Sequence, residues 1–242
     1  MRAAMANPRP LPACDRVLSM SIRTVIERGP KGKRAVAFAI DWPGWSRGAK
    51  TPDAAIETLA AYGVRYRPVT RLAGLESEFD AAGALDIVED CVGVGSTDFW
   101  GISFAASSSE QGPMPPDEFE RKLALLEAAW RFLDDVAARV SPAMRPGPRG
   151  GGRDRDEIVQ HIFRTEAGEF ARKVGVLTPS DAMLAPERLR AHRQQFLAGL
   201  RDYNAEGRKA GRSWTVPFLL RHTAFHTLDH AWEMEDKDLS TP

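Results

Sequence analysis

The chain lacks the features that define several common classes of protein. Its 242 residues include only two cysteines, Cys14 and Cys91, which are too few for a disulfide framework and favour a reducing compartment. No apolar run approaches the ~20 residues that a membrane-spanning helix requires. Lys plus Arg and Asp plus Glu both number 33, so the net charge is zero, which argues against a dedicated nucleic-acid binder. These absences predict an ordinary cytoplasmic globular protein.

The first part of the chain predicts a tail followed by a small domain. Residues 1–16 contain three prolines and no apolar signal region, so we expect a disordered tail rather than a secretory leader. Residues 17–106 contain short β-like segments, among them an alternating stretch at 34–41. This region predicts a small α+β domain of two to four strands and one clear helix, which begins at Thr51-Pro52-Asp53. Further strands are expected at Leu85–Val94 and Phe99–Phe104.

The second part of the chain has a helical pattern. Residues 107–116 are rich in Ser, Pro and Gly and predict a linker, and residues 117–238 follow as an all-α domain. Apolar residues recur there at steps of three and four, which is typical of amphipathic helices. The predicted helices are Asp117–Val140, Asp154–Val174, Pro186–Glu206 and Trp214–Asp236. Four such helices predict a four-helix bundle.

Three of the five histidines lie in a nine-residue stretch of the fourth helix. His222, His226 and His230 are spaced by four residues, so neighbouring imidazoles share a helix face and can converge on one metal ion. Such a spacing alone is weak evidence for metal binding, because a half-exposed polar stripe on a helix has the same pattern. Thr227 follows His226 where a metallopeptidase helix would carry glutamate, so that activity is not indicated.

A third ligand could come from the second helix. His161 is flanked by Ile158, Ile162 and Phe163, which predicts a position near the bundle interior. The alternative is a core histidine that is hydrogen-bonded to a carboxylate. If the second and fourth helices run antiparallel, His161 lies at about the same level as the pair on the fourth helix. The long connection at 175–185 can carry the crossover that this arrangement requires.

These histidines carry a resemblance to a known family. The segments Ile158–Gly168 and Phe225–Asp236 are similar to the DinB-like superfamily of metalloenzymes, over roughly residues 117–236. The resemblance implies an up-down-down-up four-helix bundle in which His161, His226 and His230 bind one divalent metal, zinc or nickel. Members include thiol S-transferases and mycothiol-dependent isomerases, so a low-molecular-weight thiol is an expected co-substrate.

The roles of the residues near the three histidines are predicted less specifically. His222 is either a pocket residue near the metal or a satisfied polar group, and we favour the latter. Asp229 and Glu233 are candidates to orient a ligand imidazole, with solvated surface residues as the alternative. Glu166 and Glu169 carry the same two interpretations.

The first domain carries a second resemblance. Arg34–Trp45 and Gly48–Glu57 are similar to HicB-like antitoxin domains, but helices follow where a DNA-binding domain often lies in such proteins. We therefore interpret this domain as a packing or partner-binding module. Trp42 and Trp45 are expected to cover a core edge rather than form a ligand platform.

Together these patterns predict a metal-dependent transferase or hydrolase that uses a metal-activated thiol or water. Three nitrogen ligands leave a position open for water or substrate, as in catalytic metal sites. The expected partner is a small-molecule substrate, with homodimer formation left open, and no catalytic residue beyond the ligands is assigned. The alternative is a non-catalytic metal-binding or partner-binding regulatory protein that acts through its HicB-like domain.

Overall fold

The first half of the chain forms a four-stranded mixed sheet. The computed structural model describes residues 21–147 and 152–240, so the tail predicted at 1–16 lies outside the described residues. The strands are β1 (Ile22–Arg28), β2 (Ala35–Ala39), β3 (Ser46–Ala49) and β4 (Leu85–Val92). Their order is β3-β2-β1-β4, with β1 parallel to β4 and the other two pairs antiparallel. The predicted α+β class is confirmed.

Four short helices accompany the sheet, namely α1 (Pro52–Ala61), α2 (Gly63–Leu72), α3 (Glu76–Ala81) and α4 (Gly95–Trp100). The predicted helix start is found, because the Thr51 hydroxyl accepts a hydrogen bond from the Ala54 amide and Pro52 takes the first position. The strand expected at Phe99–Phe104 is wrong. Phe99 and Trp100 end α4 instead, and Gly101 stops it with a φ of 70°.

Four long helical segments make up the second half. They are α5 (Pro116–Arg139), α6 (Arg155–Thr165), α7 (Pro186–Ala205) and α8 (Val216–Lys237). The second continues past α6 as a π-helical turn at Glu166–Phe170 and a 3-10 turn at Ala171–Val174, so it ends where the sequence predicted. Among the described residues, no helix combines the length and the apolar character that crossing a membrane requires.

Side-chain contacts give the relative directions of α5 and α8. Arg139, at the end of α5, forms an ion pair with Glu235, near the end of α8. Glu110, which precedes α5, pairs with Arg221 near the start of α8. The two helices therefore run parallel.

The segment from α6 to Val174 runs against α8. His161, early in this segment, lies beside His226 and His230, whereas Phe170, later in it, lies beside His222 and His226. A higher residue number on one segment thus meets a lower number on the other, so the two are antiparallel. This direction brings His161 to the level of the last two histidines of α8.

The same segment runs parallel to α7. Glu166 lies 3.5 Å from His192, and a Cβ atom added to Gly199 would lie 3.0 Å from a methyl carbon of Val174. Residue numbers rise together along both segments. The connection between them at 175–185 therefore returns the chain to the end from which α6 began.

Residues 107–116, predicted as a linker, pack closely against both halves. Ser107 and Glu110 are buried and form a capping box for a 3-10 turn at Ser108–Glu110. Trp42 and Trp45 are buried in one apolar cluster with α5 and α8 residues, which include Leu125 and Trp232, in keeping with their expected core role. How the chain divides into domains stays a prediction.

A buried polar network joins the sheet to α8. The Arg221 guanidinium donates to Glu110 at 2.6 and 3.0 Å, to the Ser103 hydroxyl and to the carbonyl of Ala105. The Ser103 hydroxyl donates in turn to Glu27, a fully buried carboxylate on β1. We call these four side chains (Glu27, Ser103, Glu110 and Arg221) the Arg221 network.

Candidate metal centre

Three histidines from two helical segments converge at one point. His226 and His230 are one turn apart on α8, and His161 comes from α6 on the antiparallel segment. One ring nitrogen from each of them can be chosen so that all three atoms lie within 4.8 Å of one another. The Nε2 atoms of His161 and His226 are 3.3 Å apart. All three side chains are half-buried, and the group could hold a metal ion.

One distance within the cluster suits a tetrahedral metal. Two nitrogen ligands at about 2.0–2.1 Å from one ion, separated by a tetrahedral angle, lie about 3.3–3.4 Å apart. The separation of the His161 and His226 Nε2 atoms matches that value. Three imidazoles leave a fourth position for water or substrate, which is the composition of a catalytic rather than a closed structural site.

Burial holds two of the three imidazoles in the neutral form that metals bind. Desolvation, with the nearby positive charge of Arg153 as a further cause, lowers the pKa of His161 to about 4. Desolvation and the neighbouring imidazoles lower the pKa of His226 to about 2. The buried Nδ1 atom of His226 has no hydrogen-bond partner. Both rings therefore have a free electron pair near neutral pH without first losing a proton.

His230 is oriented by a carboxylate on its own helix. Its Nδ1 lies 2.6 Å from Glu233, which leaves Nε2 for the cluster, and Lys237 donates to the other oxygen of that carboxylate. Hydrogen bonds from His230 and Lys237 lower the pKa of Glu233 to about 2. Glu233 thus has the orienting position that the sequence suggested, as carboxylate partners of metal-binding histidines do.

Asp229 has a different partner. Arg47 on β3 donates to it at 2.6 Å, and the guanidinium stacks on Tyr62 at 3.7 Å and on Trp232 at 4.3 Å. The contact ties the sheet to the residue next to His230. Asp229 therefore links the two halves and does not orient an imidazole.

His222 lies apart from the three-histidine group. Its ring is enclosed by aromatic rings whose centroids lie 5.2–5.6 Å away, from Phe104, Phe170, Trp214 and Phe218. It also hydrogen-bonds the backbone of Ser103. Burial is the main cause that lowers its pKa to about 3. The surroundings are those of a satisfied polar group, which is the interpretation that the sequence favoured.

The two glutamates of the π-helical turn also lie outside the cluster. Glu166 is buried beside His192 on α7, at 3.5 Å, and near Arg193, at 3.7 Å. Glu169 is exposed. Neither belongs to the group of residues that could hold a metal.

Two arginines near the histidines were not singled out from the sequence. Arg153, just before α6, and Arg164, one turn beyond His161, both lower the pKa of His161 through their charge. The spacing of Arg164 from His161 is a signal that could have indicated a shared helix face. Arg153 had no such signal, because it lies outside any periodic element.

No family model matches the chain, and no curated protein or solved structure matches it either. The resemblances to DinB-like and HicB-like proteins therefore stay predictions.

Cys91, on β4, is half-buried, and burial is the main cause that raises the pKa of its thiol to about 11. A thiolate at Cys91 is thus disfavoured at neutral pH.

Proposed function

We propose that the chain is a metal-dependent transferase or hydrolase of the DinB-like type, in which His161, His226 and His230 hold one divalent ion. The observation that carries the proposal is the convergence of three imidazole nitrogens within 4.8 Å from two helices. We expect zinc or nickel, because imidazole suits both ions. The proposed substrate is a small molecule with a low-molecular-weight thiol as co-substrate, and the proposed compartment is the cytoplasm.

The proposed architecture of the second half is an up-down-down-up four-helix bundle. Its support is the set of directions found for the long helices, with α5 parallel to α8 and the α6 segment parallel to α7 but antiparallel to α8. In a simple up-and-down bundle the second and fourth helices would be parallel. His161 would then lie away from the level of His226 and His230.

The chain's own residues prepare the site for this chemistry. His161 and His226 are held neutral, and His230 is oriented by Glu233. A divalent ion supplies acidity to water or to a thiol, which provides a nucleophile at neutral pH.

Metal analysis of protein purified without a histidine tag tests the proposal. We expect about one equivalent of a divalent metal in the wild-type protein, and much less in the His161→Ala variant. Far-ultraviolet circular dichroism would check that the variant keeps its helices. Undiminished metal in a folded His161→Ala variant would contradict a site shared by two helices.

A second candidate function is a partner-binding regulatory protein that acts through its HicB-like half. The observation that favours it is the pair Phe99 and Trp100, which are 69% and 61% exposed with ring centroids 4.5 Å apart. Exposed neighbouring aromatic residues are typical of interaction sites. Wild-type protein that contains no metal and does not take it up would favour this second function.

A further inference from the structure

A basic pocket lies along the second helical segment, beyond His161 in the chain. Its volume is about 420 Å³, within the range of small-molecule sites. Arg164 and Arg172 line it from the helical side, and the hydroxyl residues Thr178 and Ser180 line it from the connection to α7. Gly168, which lies between the two arginines in sequence, leaves space in the pocket, because a Cβ atom added there would meet no other atom within 4 Å.

The positive charges of this pocket are not neutralised. Arg164 and Arg172 are both exposed and form no ion pair within the part of the chain that the structure describes. Glu166 and Glu169 lie between the two arginines in sequence and pair with neither of them in the described residues, and Glu166 lies instead near Arg193. The acids beside the histidines are engaged elsewhere, since Asp229 binds Arg47 and Glu233 binds Lys237.

Arg164 connects the pocket to the three histidines. It lies three residues beyond His161, about 4.5 Å along the axis of α6, so the two side chains are neighbours on the helix surface. Arg172 lies farther along the same segment, in the 3-10 turn that follows the π-helical turn. A small molecule with one end at the histidine cluster can therefore place an acidic group near Arg164.

We propose that the pocket of Arg164, Arg172, Thr178 and Ser180 selects substrates that carry an acidic group, and that Arg164 binds this group. The inference rests on the proposed function, because the other end of the substrate lies at the three histidines. Guanidinium groups bind carboxylates through two parallel hydrogen bonds, which neutral or cationic analogues cannot form.

Cobalt-loaded protein provides the test, because thiol binding changes the visible absorption of cobalt. Titration with 3-mercaptopropionate and 3-mercapto-1-propanol compares two thiols of equal chain length that differ in charge. We expect the wild-type protein to bind the acid at least fivefold more tightly, and the preference to weaken in high salt. In Arg164→Gln the ratio should fall towards one, while cobalt content and affinity for the alcohol stay within twofold.

Arg190→Gln is the matched control. Arg190 is also an exposed arginine on a long helix, but it lines a different groove together with Trp130 and Arg193. This variant should keep the wild-type preference. Equal affinities for the two thiols in wild-type protein, or an unchanged preference in Arg164→Gln, would overturn the inference while the metal site stands. Wild-type protein that takes up no cobalt would overturn the proposed function and this inference together.

Discussion

Helix α8 carries two polar groups that differ in how they are satisfied. Arg221 donates to a carboxylate, a hydroxyl and a carbonyl, and it also stacks on Phe38 at 3.7 Å. His226, five residues later, has one buried nitrogen with no partner and another that faces the equivalent nitrogen of His161. The same helix thus presents one complete network and one incomplete cluster.

The extent to which polar atoms are hydrogen-bonded distinguishes a site that fixes the packing from a site that can bind a ligand. A buried charge is costly unless it is paired and hydrogen-bonded, so a complete network such as that of Arg221 fixes how elements pack. At the histidines the His161 and His226 Nε2 atoms can share only one hydrogen bond, and the buried Nδ1 atom of His226 has no partner, so the cluster is less fully satisfied until another group joins it. An ion at the three histidines would supply that group, whereas the Arg221 network needs none.

The largest expected effect comes from breaking the complete network. Arg221→Met would leave the Glu110 carboxylate buried without its cation, and removal of one partner from a buried pair costs about 3–5 kcal/mol. Burial alone would raise the pKa of Glu110, but the charge and hydrogen bonds of Arg221 hold it below its usual range. Urea unfolding of the metal-free protein measures the loss.

The double variant Arg221→Met with Glu110→Gln is the control for this loss. It removes both charges, so it should be more stable than Arg221→Met alone. If Arg221→Met unfolds at the wild-type urea concentration, the network does not hold the two halves together.

A smaller effect is expected from pH in the metal-free protein. The folded pKa of His222, about 3, lies below the value of about 6.5 in an unfolded chain. Between these values the unfolded state binds a proton that the folded state rejects, so stability is lost as pH falls below about 6.5. Urea unfolding at pH 7.5, 6 and 5 with a chelator should show this decline, and a shallower one in His222→Phe. Equal slopes for the two proteins would show that His222 is not held neutral by burial.

The smallest effect is expected for metal binding in a His222 variant. His222→Ala removes a ring of the aromatic enclosure but no member of the three-histidine group, so metal content should stay near one equivalent. His230→Ala should lower the affinity sharply, because it removes a ligand. Metal analysis of both variants decides the assignment. It fails if His222→Ala loses the metal while His230→Ala keeps it.

The sequence predicted the parts of this molecule that follow from local patterns. The long helices could be placed because their apolar residues repeat at helical spacing, and Thr51 and Pro52 mark a helix start for local reasons. The cluster was predictable because His226 and His230 share a helix face. His161 could be added to the predicted site on the condition that the second and fourth helices run antiparallel.

Contacts between distant segments could not be predicted in this way. Glu110 and Arg221 are 111 residues apart, and nothing in the local pattern of 107–116 distinguishes a packed turn from an open linker. The strand expected at Phe99–Phe104 overlaps the end of α4, because Phe99 and Trp100 favour strands when their surroundings are ignored. The pocket of Arg164 and Arg172 also depends on a connection that packs beside them, which no spacing reveals.

The position of α8 has a consequence for how the molecule folds. It contacts Arg47 on β3, Glu110 ahead of α5 and His161 on α6, so its partners lie tens to nearly two hundred residues earlier in the chain. Contacts between residues far apart in sequence form slowly, because the entropy of closing long loops is lost before the contacts form. The histidine cluster is therefore complete only after a long-range contact has formed, because His161 lies 65 residues before His226.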